Sequence, residues 1–122
     1  MATTLNGLAT LYLKQGKYTE AERLYLRALT IKENVLGAGH PKVATTLNGL
    51  ATLYLKQGKY TQAEPFYLRA LSIREKVLGA EHPDTVLIMK NYVTLLRETH
   101  REAQAVAWES RIVAIGSGVE AY

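Results

Sequence analysis

Cysteine is absent from this chain of 122 residues. That excludes a disulfide framework, thiolate metal sites and a cysteine nucleophile, and it fits a reducing compartment, so a cytoplasmic location is expected. No apolar run approaches the roughly eighteen residues needed to cross a bilayer. Met1 is not followed by a charged-then-apolar leader, and no membrane association is expected. Blocks of like charge are also missing. The net charge is +4 with a pI near 9.4, but the fifteen Lys and Arg are interleaved with acids, as in "KYTEAERLYLRALTIKE". That pattern describes an evenly solvated surface and argues against a nucleic-acid partner.

Constellations that carry chemistry are equally scarce. His40, His82 and His100 stand far apart, and the first two each precede a proline, which suits a capping or loop role better than metal ligation. "GAGHP" at Gly37–Pro41 contains Gly-x-Gly without the strand, the further glycines or the lysine of a phosphate loop. The serines have no triad-like context. The eight tyrosines fall mostly at repeated framework positions, which predicts core packing rather than a base-stacking platform. No enzyme activity, cofactor or metal is expected.

What the chain does have is repetition. "ATTLNGLATLYLKQGKYT" occupies residues 2–19 and recurs unchanged at 44–61. Across an offset of 42, Ala2–Pro41 and Ala44–Pro83 agree at 33 of 40 positions. A fainter third copy follows, in which Thr94, Leu95, Gln104, Ala105 and Ile115 match Thr52, Leu53, Gln62, Ala63 and Ile73. A fixed period of this size means stacked supersecondary units. One array is expected over 1–115, with repeats at about 1–40, 41–82 and 83–115, followed by a flexible tail at 116–122.

Each repeat reads as two helices of about 16–18 residues. Leu47, Leu50, Ala51, Tyr54 and Leu55 form one apolar stripe, and Ala63, Phe66, Tyr67, Ala70, Leu71, Arg74 and Val77 form a second. Gly58-Lys59 breaks the pattern between them. Thr19-Glu-Ala-Glu22 and Thr61-Gln-Ala-Glu64 have the form of a capping box at the start of the second helix. Gly79 is a natural stop, and His82-Pro83 opens the next helix with proline at a first helical position. Asn6-Gly7 and Asn48-Gly49 look like hairpin turns, but their flanks have helix periodicity. A mid-helix glycine costs about 1 kcal/mol relative to alanine, and its expected role is to admit a neighbouring helix. Pro65 falls just inside the second helix, where the first copy has Arg23.

The spaced set Leu47, Leu50, Ala51, Tyr54, Gly58, Tyr60, Ala63, Tyr67 and Ala70 resembles a tetratricopeptide repeat. The first copy supplies it as Leu5, Leu8, Ala9, Tyr12, Gly16, Tyr18, Ala21, Tyr25 and Ala28, whereas the third matches poorly. The usual period is about 34 residues with a proline closing the second helix. Here Glu75 stands in that place and the helix runs on, which resembles the 42-residue kinesin-light-chain and nephrocystin-like branch. Bacterial arrays share this form, and the chain looks like an excerpt of one.

The resemblance implies an all-α solenoid of three stacked antiparallel helix pairs that holds a peptide on its concave face. It implies groove positions at Asn6, Thr10, Leu13 and Lys14, at Asn48, Thr52, Leu55 and Lys56, and at Lys90, Asn91, Thr94 and Arg97. Each Asn amide offers a donor and an acceptor to an extended backbone, and Lys14, Lys56, Lys90 and Arg97 favour an acidic ligand. The last helix, "REAQAVAWESRIVAIG", departs from the consensus as terminal repeats do, with Trp108 expected in the core where repeat two has Phe66. The first repeat opens without a helix before it. An exposed packing face of that kind implies a second outcome, a homodimer or end-to-end stacking.

Overall fold

The computed structural model describes residues 2–116. Six helices follow one another: α1 (Ala2–Lys14), α2 (Tyr18–Leu36), α3 (Pro41–Lys56), α4 (Tyr60–Leu78), α5 (Pro83–Glu98) and α6 (Glu102–Gly116). Their lengths run from 13 to 19 residues. Each packs on its sequence neighbours, and the first helices α1, α3 and α5 also approach one another. The second helices do not. α2 and α4 are joined instead by the long side chains of Glu33 and Arg69, 2.8 Å apart, and α4 and α6 by Glu75 and Arg111, 3.0 Å apart. Close first helices and spread second helices curve the stack, with α1, α3 and α5 on the inside. This is an α-solenoid.

The turn inside each repeat is closed by backbone. Gly58 takes φ +75°, its N–H donates to Leu55 O, and Lys59 N–H donates to Tyr54 O at 2.8 Å. This six-to-one closure needs a left-handed residue after the helix. Gly16 repeats it, and in the third copy His100 adopts φ +59° in the same place. The closure brings the chain into its next helix early, so α2 and α4 begin at Tyr18 and Tyr60, and their N-cap residues are Lys17 and Lys59. The expected capping boxes are therefore not formed: Thr19 and Thr61 lie already inside the helix, and neither cap has a side-chain hydrogen bond. The His-Pro starts are as expected. His40 Nδ1 accepts from Lys42 N and His82 Nδ1 from Asp84 N, both at 3.1 Å, with proline in the first turn.

The core follows the first stripe closely. Leu47, Leu50, Ala51 and Tyr54 are buried, as are Ala63, Tyr67, Ala70, Leu71 and Arg74. Leu55 and Phe66 are half-buried at its edge, and Phe66 stacks on Tyr54. Val77 departs from the expected stripe and is exposed at its edge; Ile73 is buried instead. Trp108 packs edge-on against Tyr92 with Arg111 over its ring. Of the tail expected at 116–122, Gly116 still belongs to α6, and residues 117–122 lie outside the described residues.

Asn48-Gly49 and Asn6-Gly7 are helical throughout. A Cβ on Gly49 would stand 2.6 Å from Cε1 of Tyr25, so the glycine is what lets the α2 ring lie on the α3 backbone. The ring is buried and its hydroxyl is tied to Thr10 Oγ1 at 2.8 Å, so it has little room to withdraw. Gly49→Ala is expected to lower stability by about 1 kcal/mol, overpacking of about 1–3 kcal/mol outweighing the gain in helix propensity; urea unfolding measures it. Pro65 is exposed within α4 and removes one interior backbone bond. Pro65→Arg, which restores the residue of the first copy, is expected to add about 2 kcal/mol in the same measurement.

Candidate peptide-binding groove

The concave side carries an open hollow of about 740 Å³ between α1, α3 and α5. Eight of the twelve residues expected there line it: Asn6, Thr10, Leu13 and Lys14, then Asn48, Thr52 and Lys56, and finally Asn91. Leu55 is not among them and is half-buried against the core. Lys90, Thr94 and Arg97 line a separate hollow of about 460 Å³ with Val93, Glu109, Ile112 and Val113. The third repeat therefore divides its expected groove residues between two places. Tyr18, Tyr25, Thr45 and Gly49 line the first hollow without having been expected to. For Tyr25 a signal existed: a mid-helix glycine at 49 calls for a large ring opposite it.

Hydrogen bonding gives the lining its character. Lys32 Nζ donates to Thr46 Oγ1 at 3.1 Å, and Thr46 donates onward to Asn6 Oδ1 at 3.0 Å. Asn91 Nδ2 donates to Asn48 Oδ1 at 3.1 Å. Both amide oxygens are thus engaged from behind, and the Nδ2 groups of Asn6 and Asn48 have no partner among the described residues. The Asn pair presents donors, not the even-handed donor and acceptor set that an amide alone suggests. Thr10 is occupied too: it donates to Asn6 O at 2.9 Å and accepts from Tyr25. Thr52 and Tyr67 share a hydrogen bond between their hydroxyls at 2.8 Å. Burial pushes the Tyr67 hydroxyl up to about 12 and raises that of Tyr25, so both remain neutral.

Charge falls unevenly. Lys14 and Lys56 are exposed at the hollow, with no ion-pair partner among the described residues and no carboxylate in its lining. Arg97 is different. It forks onto Glu109, with Nη1 to Oε2 at 2.7 Å, and also reaches Glu102, so its charge is spent on α6. Among the described residues, no helix is long and apolar enough to cross a membrane.

The tetratricopeptide-repeat family matches residues 1–76 and again 43–116. The chain belongs to that family. Among solved structures, this tetratricopeptide array superposes on BtubC (BKLC) from P. vanneervenii with a TM-score of 0.89 at 25% identity, covering 98% of this chain and 47% of that one. It superposes on the nearly identical TPR-like repeats of a kinesin light chain candidate from Podosopora anserina with a TM-score of 0.85 at 23% identity, covering 98% and 56%. The chain thus spans about half the length of the structures it matches. No curated protein matches it. Tetratricopeptide arrays are scaffolds for protein–protein interaction.

Behind the groove, the two junctions of this tetratricopeptide array differ in one charge. Arg74 on α4 is buried and meets Asp84 at 2.9 Å, at the start of α5. Its counterpart Lys32 is buried equally, but the residue at the start of α3 is Lys42, which offers only its carbonyl at 3.4 Å. Burial, then the charges of Lys42 and Arg74, hold the Lys32 amine below its usual range. Lys42→Asp places a carboxylate beside Lys32 and at a helix N-terminus. It is expected to stabilise the fold by about 1 kcal/mol and to raise the Lys32 pKa, read by thermal unfolding and by NMR titration of the side chain.

Proposed function

We propose that the concave face of α1 and α3 binds an extended, acidic segment of another protein, without catalysis and in the cytoplasm. The observation that carries this reading is the one-sided chemistry of the larger hollow. Asn6 and Asn48 point free N–H donors from amides braced behind, Lys14 and Lys56 stand at the hollow, and no carboxylate lines it. Such a surface suits backbone carbonyls and side-chain carboxylates, and it repels an arginine-rich chain. The repeat spacing places equivalent donors on successive helices, which matches a ligand that is itself extended rather than folded.

Fluorescence anisotropy with a labelled peptide of Asp, Glu, Ser and Gly tests this, with a Lys and Arg counterpart as control. The acidic peptide is expected to bind and to weaken as salt rises. The double change Asn6→Ala with Asn48→Ala is expected to weaken it about tenfold, two hydrogen bonds being worth about 0.5–1.5 kcal/mol each, while circular dichroism shows unchanged helicity. Equal binding of the basic peptide, or unchanged affinity in the double variant, would refute the reading.

One observation favours a second reading, in which copies associate through the exposed face of α1 as a homodimer or by end-to-end stacking. Leu8 and Leu11 are exposed on the outer side of α1, and exposed apolar patches of that kind draw partners.

A further inference from the structure

The two junctions between repeats follow one plan and are filled differently. At the second, Arg74 of α4 is buried beneath the first turn of α5, and Nη1 donates to Asp84 Oδ2 at 2.9 Å. Nη2 of the same guanidinium donates to Thr45 Oγ1 of α3. A hollow of about 170 Å³ opens beside this pair, and it shares Thr45 and Asn48 with the larger hollow of the concave face. The carboxylate on Arg74 therefore stands at the margin of the groove. Its side chain is 57% exposed, so the place it fills is open to water.

The first junction has the cation and lacks the acid. Lys32 stands where Arg74 does, is 6% exposed, and gives two donors to neutral oxygens, Thr46 Oγ1 and the Lys42 carbonyl. An ammonium group has three donors. In the place of Asp84 stands Lys42, exposed on the first turn of α3, and Gly39 replaces Glu81 in the loop before it. Neither lysine has an ion-pair partner among the described residues. The backbone does not supply the site: the N–H of Lys42 is taken by His40 Nδ1 and that of Val43 by His40 O. An anion here would be held by side chains, with the dipole of α3 behind it. The place also adjoins the groove. Thr46 passes the contact from Lys32 on to Asn6 Oδ1, and both Asn6 and the exposed Thr45 line the larger hollow.

A buried ammonium without a counter-charge is unfavourable, and a second lysine beside it adds repulsion. Burial, then the charges of Lys42 and Arg74, hold the Lys32 amine below its usual range, and a carboxylate between the two lysines would oppose all three effects. We infer that Lys32 and Lys42 form a carboxylate-binding subsite, which takes one Asp or Glu side chain of the segment in the groove at the place that Asp84 fills in the second junction. It rests on the groove reading only for the source of that carboxylate. The second junction needs no such group, so the acid is required at one position of the ligand rather than along its whole length.

Anisotropy with the peptide of Asp, Glu, Ser and Gly tests the subsite through three variants. Lys42→Asp supplies the missing carboxylate from the chain itself and is expected to weaken the peptide about tenfold or more. Lys76→Asp makes the same charge change at an exposed position of α4, and is expected to weaken it less than about twofold. Lys32→Met keeps a buried stem without the cation and is expected to weaken it about fivefold, with unchanged circular dichroism. A second readout needs no peptide. In carbon NMR of the lysine side chains, the Lys32 pKa is expected to be about 0.3 unit higher in about 0.5 M sodium acetate than in equal sodium chloride, and Lys42→Asp is expected to abolish the difference. Equal weakening by Lys42→Asp and Lys76→Asp, with no effect of Lys32→Met, would overturn the subsite and leave the groove reading standing. No peptide binding at all would refute the groove reading, and the acetate comparison then decides the subsite alone. A Lys32 pKa equal in acetate and chloride would overturn it.

Discussion

The architecture depends on one close approach, the ring of Tyr25 lying on the backbone of α3 at Gly49. A residue with a Cβ at that point would hold the helices apart, and a smaller residue in place of the tyrosine would leave a void. The tyrosine hydroxyl is anchored in turn by Thr10 on the helix before, so one side chain spans three helices. That triple contact sets how near α3 comes to α1. It therefore sets the distance across which Thr46 reaches Asn6, and with it the spacing of the amides on the concave face. The glycine weakens its own helix by about 1 kcal/mol, and the packing it admits outweighs that.

The second junction meets the same requirement by other means. Asn91 stands where Gly49 would repeat, Tyr92 stands where Leu50 would, and Glu64 accepts from Tyr92 at 2.8 Å while forking onto Arg101. Arg101 holds the Glu64 carboxyl below its usual range. Near-identity of the first two copies thus does not extend to their interfaces. The polar side chains that close the second junction also supply Asn91 to the groove, where it braces Asn48. Structure and site share residues, which is why the groove residues are half concealed in a list of polar positions.

Much of this was legible in the sequence, and what was not has a common cause. The stripe Leu47, Leu50, Ala51 and Tyr54 marked its buried face correctly because helix periodicity is local. His-Pro starts and glycine stops were readable for the same reason. The Thr61 cap was misread because the closure at Gly58 moves the helix start by two residues, and that closure is a three-dimensional hydrogen-bond pattern rather than a motif. Val77 was misplaced because periodicity alone does not say which edge of a stripe another helix covers. The engaged oxygen of Asn6 depends on Thr46, forty residues away, and the neutralisation of Arg97 depends on Glu109 in the least conforming helix. Contacts between repeats were the illegible part.

Those contacts also decide where the array is weak. In a stack of repeats, stability is close to a sum of intrinsic terms and nearest-neighbour interfaces. α1 packs on α2 and leaves Leu8 and Leu11 exposed, whereas α3 packs on both α2 and α4. Asn6, Thr10, Leu13 and Lys14 all lie on α1 and form one wall of the larger hollow. Local opening of α1 would remove that wall together with the Thr46–Asn6 bond that orients its amide.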